Sequence, residues 1–137
     1  MTQIALTEDI AACLALRRTV FIEEQAVPEA DEVDGLDPDA LHILATAGAP
    51  VGCARILMVG AVAKIGRVCV LPSHRGTGLG AGLIRACLDI ARAQGATRAV
   101  LGAQTHALGF YERLGFTAFG PVYDDAGIPH RDMERAL

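Results

Sequence analysis

The stretch from Arg67 to Gly82, RVCVLPSHRGTGLGAG, restricts the fold more tightly than any other part of this chain. An apolar, β-branched run (Val68, Cys69, Val70, Leu71) stops at Pro72, and a glycine-rich turn then opens onto a long apolar-periodic segment. The pattern is strand, loop, helix. Gly76, Gly78, Gly80 and Gly82 alternate with Thr77, Leu79 and Ala81, so few side chains shield the backbone N–H groups where the helix begins. Those unpaired donors and the positive end of the helix dipole make a ready site for phosphate.

Three nucleotide-binding architectures use such a loop. A P-loop needs a lysine after its second glycine to reach the terminal phosphates, and none is here. A dinucleotide fingerprint can be laid on Gly76, Gly78 and Ala81, but the acid expected about 20 residues on falls near Val100 to Gly102, where there is none. The remaining architecture is a loop for the pyrophosphate of coenzyme A.

The rest of the chain supplies a mixed set of elements for one domain over residues 1–137, long enough to bury a real core. Gln3 to Leu6 reads as a first strand, and Thr7 followed by Glu8 and Asp9 reads as the start of a helix running to about Phe21. Glu24 to Pro38 has two prolines, no period and dense acid, and reads as an irregular or partly helical excursion. Leu41 to Ala47 and Val51 to Val59 form a hairpin about Gly48-Ala49-Pro50, and Ala61 to Leu71 adds a third strand of an antiparallel meander. The helix after the loop keeps Leu79, Leu83, Cys87, Ile90 and Ala91 on one face, allows an Arg85–Asp89 pair and stops at Gly95. Thr97 to Ala103 is a strand, Thr105 caps a short helix through Leu114, and Phe116 to Phe119 and Arg131 to Arg135 are strands around a turn-rich stretch.

Charge and composition exclude several roles. At 52% hydrophobic and 20% charged, with a net charge of −4, the chain lacks the clustered cations of a nucleic-acid binder. No apolar run approaches the ~18 residues of a membrane span. The N-terminus MTQIALTEDI has no basic region followed by an apolar stretch, so a cytoplasmic location is expected. Cys13, Cys53, Cys69 and Cys87 show no metal-binding spacing, so no metal is expected and the four read as reduced, buried thiols.

HRGTGLG followed by AGLIRACLDIARAQG resembles the acyl-CoA motif of the GNAT N-acetyltransferase family, with Arg75, Gly78 and Gly80 at the motif positions. QTHALGFYERLGF resembles that family's second motif through Ala107, Phe110, Tyr111, Gly115 and Phe116. RTVFIEEQ, the acids around Asp34, His42 and the GIPH run ending at His130 resemble a narrower group, the ElaA-like bacterial acetyltransferases. The resemblance implies an α+β fold with a mostly antiparallel twisted sheet of six or seven strands. About four helices would flank that sheet, which would splay at the acyl-CoA site.

The same resemblance implies an acetyl-CoA-dependent transfer to a primary amine by direct attack in a ternary complex. Backbone groups of Cys69 and Val70 would meet the pantetheine arm, and Val70 could polarise the thioester carbonyl. Arg75, Gly76, Thr77, Gly78, Leu79 and Gly80 would hold the pyrophosphate, and Gln104 would stand near the pantetheine. Tyr111 would be the general acid that protonates the departing thiolate. Cys69 is read as strand packing rather than an acyl carrier.

Glu24, Asp34, His42 and His130 are candidates for the general base, with Glu24 and His42 put forward beside Tyr111 as catalytic. Eight of the sixteen acids lie between Glu23 and Asp39 and would form either a solvated face or a vestibule for a cationic amine. Arg55 and Arg67 are placed to pair with them. His74, just before the loop, could touch phosphate or face solvent. The amine could be a small molecule or a protein lysine, and a homodimer is allowed although no heptad demands one. A non-catalytic acyl-CoA sensor, or an interaction protein that has lost the cofactor, stands as the rival class.

Overall fold

The computed structural model describes residues 2–137. In chain order the elements are β1 (Gln3–Thr7), α1 (Ile10–Arg17), α2 (Glu29–Glu32), β2 (Leu41–Thr46), β3 (Pro50–Val59), β4 (Val62–Val70), α3 (Leu79–Ala93), β5 (Arg98–Gln104), α4 (Leu108–Glu112), β6 (Thr117–Asp125) and β7 (Ile128–Ala136). The seven strands make one mixed sheet in the order β1-β2-β3-β4-β5-β7-β6. Every neighbouring pair is antiparallel except β4 with β5.

The apolar periods decide which faces are covered. On α3, Leu83, Ile84, Cys87, Leu88 and Ala91 are all buried and pack on Ile43, Ala45, Ala54 and Ile56 of the sheet. Gly82 is where this helix comes closest to β1, since a Cβ there would lie 2.9 Å from Ile4 Cδ1. The left-handed Gly95, at φ +89°, ends the helix as expected. The opposite face of the sheet is covered by α1, whose Cys13 and Leu16, with Val20 just beyond, pack on Cys53 and Cys69. All four cysteines are free and buried, and Cys53 Sγ lies 3.4 Å from Cys69 Sγ across the two strands.

Several boundaries differ from the sequence reading for local reasons. Thr7 ends β1, its hydroxyl accepting from Asp9 N, and Asp9 rather than Thr7 caps α1 by accepting from Ala12 N at 3.1 Å. The helix does not stop at Phe21 but widens into a π-helical segment, Arg18–Glu24, whose Val20 packs on Cys53 and Cys69 of the central strands. Asp89 pairs with Arg92 at 3.2 Å rather than with Arg85. The short helix after β5 is a 3-10 turn, Thr105–Ala107, followed by α4. The turn-rich stretch is mostly strand, because β6 and β7 form a long hairpin that absorbs Gly120 and Pro121 in a register shift between Phe119 and Tyr123.

The excursion between α1 and β2 is held to the sheet by a network of three arginines and three acids, of which Arg17, Arg55, Glu32 and Asp37 are buried. Arg17, 1% exposed, donates from Nε to Glu32 Oε1 and from Nη1 to Asp37 Oδ1, each at 2.7 Å. Arg55 of β3 binds Asp34 through both guanidinium nitrogens and Asp37 through Nη1 at 3.1 Å. Arg67 of β4 lies with Nε 2.7 Å from Glu32 Oε2 and donates from Nη2 to the Glu32 carbonyl at 3.1 Å. The six formal charges cancel, which is what permits them to sit away from water.

Bonds from Arg55 hold the Asp34 carboxyl well below the usual range. Burial alone would raise Asp37, but Arg17 and Arg55 outweigh it and bring that carboxyl down as well. A carboxyl depressed in the folded state adds stability that is fully present above its unfolded pKa and lost as pH falls. Urea midpoints should therefore drop once pH goes below about 4. Arg17→Met should destabilise by about 3 kcal/mol, the low end for a broken buried pair because Glu32 and Asp37 each keep a second arginine. Arg18→Ala, which removes an exposed pair with Glu29, should cost less than about 1 kcal/mol in the same urea titration.

Candidate active site

The parallel contact between β4 and β5 lasts for three residue pairs, Val62 with Arg98, Ala63 with Ala99 and Lys64 with Val100. Beyond it β4 stays with β3, and β5 follows β7 through seven registered pairs from Arg98–Ala136 to Gln104–His130. The two strands therefore part like the arms of a fork. A bulge marks the β4 arm: Arg67 takes a left-handed φ of +51°, and Arg67 and Val68 together face Ala54 alone. A cleft of about 1550 Å³ opens along the fork, with Val68, Cys69 and Val70 on one arm and Leu101, Gly102 and Gln104 on the other.

The glycine loop closes one end. After a 3-10 turn, Pro72–His74, Thr77 Oγ1 donates to the His74 carbonyl at 2.7 Å and Gly78, at φ +82°, caps the 15-residue α3. A Cβ at Gly76 or Gly78 would meet nothing within 4 Å, so the loop is an open cradle in front of a helix N-terminus. Leu79 is buried and anchors the first turn, and Gly80 lies against Phe110 of α4. His74 is engaged with Ser73, Oγ to Nδ1 at 2.8 Å.

Arg75 folds back from the loop. Its Nε donates to the Val70 carbonyl at 3.0 Å, and its two terminal nitrogens grip the Glu24 carboxylate at 2.6 and 2.7 Å. The bond from Arg75 lowers the Glu24 pKa. Glu24 thus lines the cleft as a charge already paired.

Tyr111 reaches the cleft from α4, its ring edge-on to Phe110 at 5.0 Å and to Phe116 at 5.9 Å. It belongs to the α3 face of the sheet, packed against the main core. Burial pushes its phenol up to about 12, with nearby Cys87 adding to the shift, so the group is protonated at neutral pH. Gln104, at the end of β5, bridges two neighbours: Nε2 donates to Gln25 Oε1 at 3.0 Å, and Oε1 is 2.7 Å from His106 Nε2.

The base candidates separate clearly. His42 does not line the cleft; it is 3% exposed on β2 with Nε2 at 2.9 Å from the Asp37 carbonyl. Asp34 touches the cleft but is bound to Arg55 and Arg67. His130 lines the cleft on β7, with Nδ1 2.7 Å from the Ile128 carbonyl. Five acids of the Glu23–Asp39 run, Glu24, Glu29, Glu32, Asp34 and Asp37, stand in ion pairs, so the run is chiefly a structural clamp rather than an open negative vestibule.

The sequence reading missed a second tyrosine and its partner. Tyr123 of β6 stacks on His130 at 5.9 Å and donates its hydroxyl to Asp132 Oδ1 at 2.8 Å. Burial raises its phenol to about 12, helped by the bond to Asp132 and by the charges of Asp132 and Asp125. The hydroxyl lies directly over Gly102, in space that a Cβ would take. A lone glycine inside the apolar strand TRAVLGA was the available signal, since such a residue marks a close approach. No group of three or more His, Cys, Asp or Glu side chains placed to hold a metal occurs among the described residues. Among the described residues no helix is long and apolar enough to cross a membrane.

Comparison with known proteins gives this geometry a family. Residues 7–137 match the model of the acetyltransferase (GNAT) domain. The chain is 38% identical to ElaA of Escherichia coli over 132 residues, covering 92% of this chain and 86% of ElaA. The ElaA crystal structure superposes with a TM-score of 0.88 over 98% of this chain and 99% of that one. An acyl-CoA N-acyltransferase structure from Pseudomonas aeruginosa gives 0.89 at 34% identity, covering 99% and 100% of the two chains. A Bacillus subtilis acetyltransferase solved in complex with CoA shares the fold, with a TM-score of 0.77 at 18% identity, covering 100% and 99%. The chain belongs to the GNAT acetyltransferase family, as its motifs at Arg75 and Tyr111 led us to expect.

Because Glu24 is engaged with Arg75, Glu24→Gln should leave thiol release from acetyl-CoA within about fivefold of wild type, the scale of one exposed pair. Freeing Arg75 beside the loop should tighten coenzyme A binding, measured by calorimetric titration.

Proposed function

We propose that this chain transfers the acetyl group of acetyl-CoA to a primary amine by direct attack within a ternary complex. The observation that carries the reading is the fork itself: an opened parallel pair running from a bare glycine cradle to a partly buried, protonated phenol. Backbone groups of Cys69 and Val70 are suited to the pantetheine arm, which can add to a strand edge as an extended peptide does. The N–H groups of Gly76, Thr77, Gly78, Leu79 and Gly80, with Arg75, suit the pyrophosphate. Gln104 faces the pantetheine across the fork.

Acetyl transfer needs the thioester carbonyl polarised and the leaving sulfur protonated. The Val70 N–H is suited to the carbonyl oxygen. Tyr111 serves as the acid, because a phenol near 12 keeps its proton until a thiolate forms beside it. Cys69 is buried against Cys53, which fits packing and not acyl transfer. His42 lies outside the cleft and Glu24 is paired, so neither is retained as the base.

Coenzyme A at a hundredfold excess over Kd should add about 2.7 kcal/mol, on the order of 10 °C in Tm. Thiol release should follow with at least one of spermidine, kanamycin, a free amino acid or a lysine-rich peptide. Binding without thiol release from any of them would leave a sensor, and no Tm shift would refute the reading. Tyr111→Phe should lower kcat about 100-fold while leaving acetyl-CoA affinity nearly intact. Lost affinity with retained turnover would remove the acid role.

A further inference from the structure

The acetyl-transfer reading leaves the proton of the incoming amine without an acceptor, and the β7 wall of the cleft carries a side chain placed to take it. Glu24 and Asp34 are bound by arginines. His42 is buried away from the opening. Of the four base candidates named from the sequence His130 remains, and its surroundings fix both its orientation and its tautomer.

A carbonyl oxygen only accepts hydrogen bonds, so the 2.7 Å contact between His130 Nδ1 and the Ile128 carbonyl places a proton on Nδ1. In the neutral ring the lone pair is then on Nε2. The plane is held by Tyr123, stacked at 5.9 Å with 25° between the rings, and Tyr123 is in turn pinned through its hydroxyl to Asp132. His130 pairs in register with Gln104, and Asp132 with Gly102, so all of them sit on the face of the β5 arm opposite Leu101 and Met133. That is the α1 face, since Gln104 bonds to Gln25 just past the π-helical segment. Tyr111 belongs to the α3 face. The wedge is thus flanked by a phenol from one face of the sheet and an imidazole from the other.

The geometry points to His130 as the general base that deprotonates the acceptor amine, with Tyr123 and Asp132 as positioning residues for its ring. This assignment rests on the acetyl-transfer reading. An ammonium R–NH3+ gives its first proton to His130 Nε2, and the freed nitrogen lone pair attacks the acetyl carbon. The C–N bond forms and the C–S bond breaks, with the electron pair leaving on sulfur, which takes the Tyr111 proton. His130 sheds its proton to solvent, and the second nitrogen proton restores through water the one Tyr111 gave up. The sum is one amide, one thiol and one proton released.

Two measurements test the assignment. In the wild-type protein, ¹⁵N–¹H correlation of the histidine rings should show His130 in the Nδ1–H form, with Nε2 unprotonated in the neutral ring. A neutral ring carrying its proton on Nε2 would overturn the proposal without any acceptor in hand. With the fastest amine of the panel named above, His130→Ala and His130→Gln should each lower kcat/KM about 100-fold. The coenzyme A Tm shift should remain, and added imidazole should restore part of the rate to His130→Ala. Tyr123→Phe, which loses the tie to Asp132 but keeps the stacked ring, should lower kcat about tenfold and remain insensitive to imidazole. Turnover of both His130 variants within a few-fold of wild type would overturn the base role alone. A wild type that binds no coenzyme A, or releases no thiol with any amine, would overturn the acetyl-transfer reading and this assignment with it.

Discussion

The parting of β4 from β5 after three residue pairs is the constraint on which the rest of the site depends. A parallel pair inside a sheet normally continues until a loop ends it, because each abandoned ladder position leaves backbone groups to be satisfied elsewhere. Here β5 is drawn off by its seven-pair register with β7, and β4 is held to β3 around the bulge at Arg67. Two strand edges are left facing each other across a cleft, each with N–H and C=O groups turned toward it. An extended ligand carrying amides of its own is what such edges accommodate.

The arginine–carboxylate network docks the acid-rich excursion on the α1 side of the fork. Arg55 and Arg67 project from β3 and β4 toward the excursion, and Glu32, Asp34 and Asp37 meet them there. With no Lys or Arg of its own, the segment between Glu23 and Asp39 pairs its acids by docking on those sheet arginines, on Arg17 and Arg18 before it and, at Glu24, on Arg75 of the glycine loop. Its docking sets the position of the π-helical segment, and with it Glu24 and Gln25 at the cleft. The acid-rich run is therefore an assembly device first, with five of its eight acids paired to arginines.

What could be read in the sequence follows from where the information resides. The glycine cradle, α3 and Tyr111 are local: a strand, a turn and a helix in sequence, with one phenol at a fixed offset. The meander β2-β3-β4 was legible for the same reason, because each turn joins neighbours. The acceptor wall is not local. Gly102, Asp132 and Tyr123 come together only through the registers of β5 with β7 and of β7 with β6. Pro121, Gly127 and Pro129 made that hairpin read as loop, since two prolines and a glycine outweigh a β pattern until tertiary pairing overrides them. The partnering of Glu24 and Asp34 was equally invisible, because an acid does not announce whether an arginine 51 or 21 residues away will reach it.

The two sides of the cleft also rest on different kinds of rigidity. The donor side is built on α3, whose buried face lies in the main core, and its loop is fixed at Leu79 and Gly80. The wall proposed for the acceptor is carried by β7 and by β6, an edge strand exposed along almost its whole length, with Val122 60% exposed. Edge strands carry few buried contacts and open at low cost. Changes on β6 can therefore reshape the acceptor wall without disturbing the core, whereas changes around Gly78 to Gly82 strain a helix start packed against both β1 and α4. A protein built this way holds one donor chemistry fixed while its acceptor surface is free to vary.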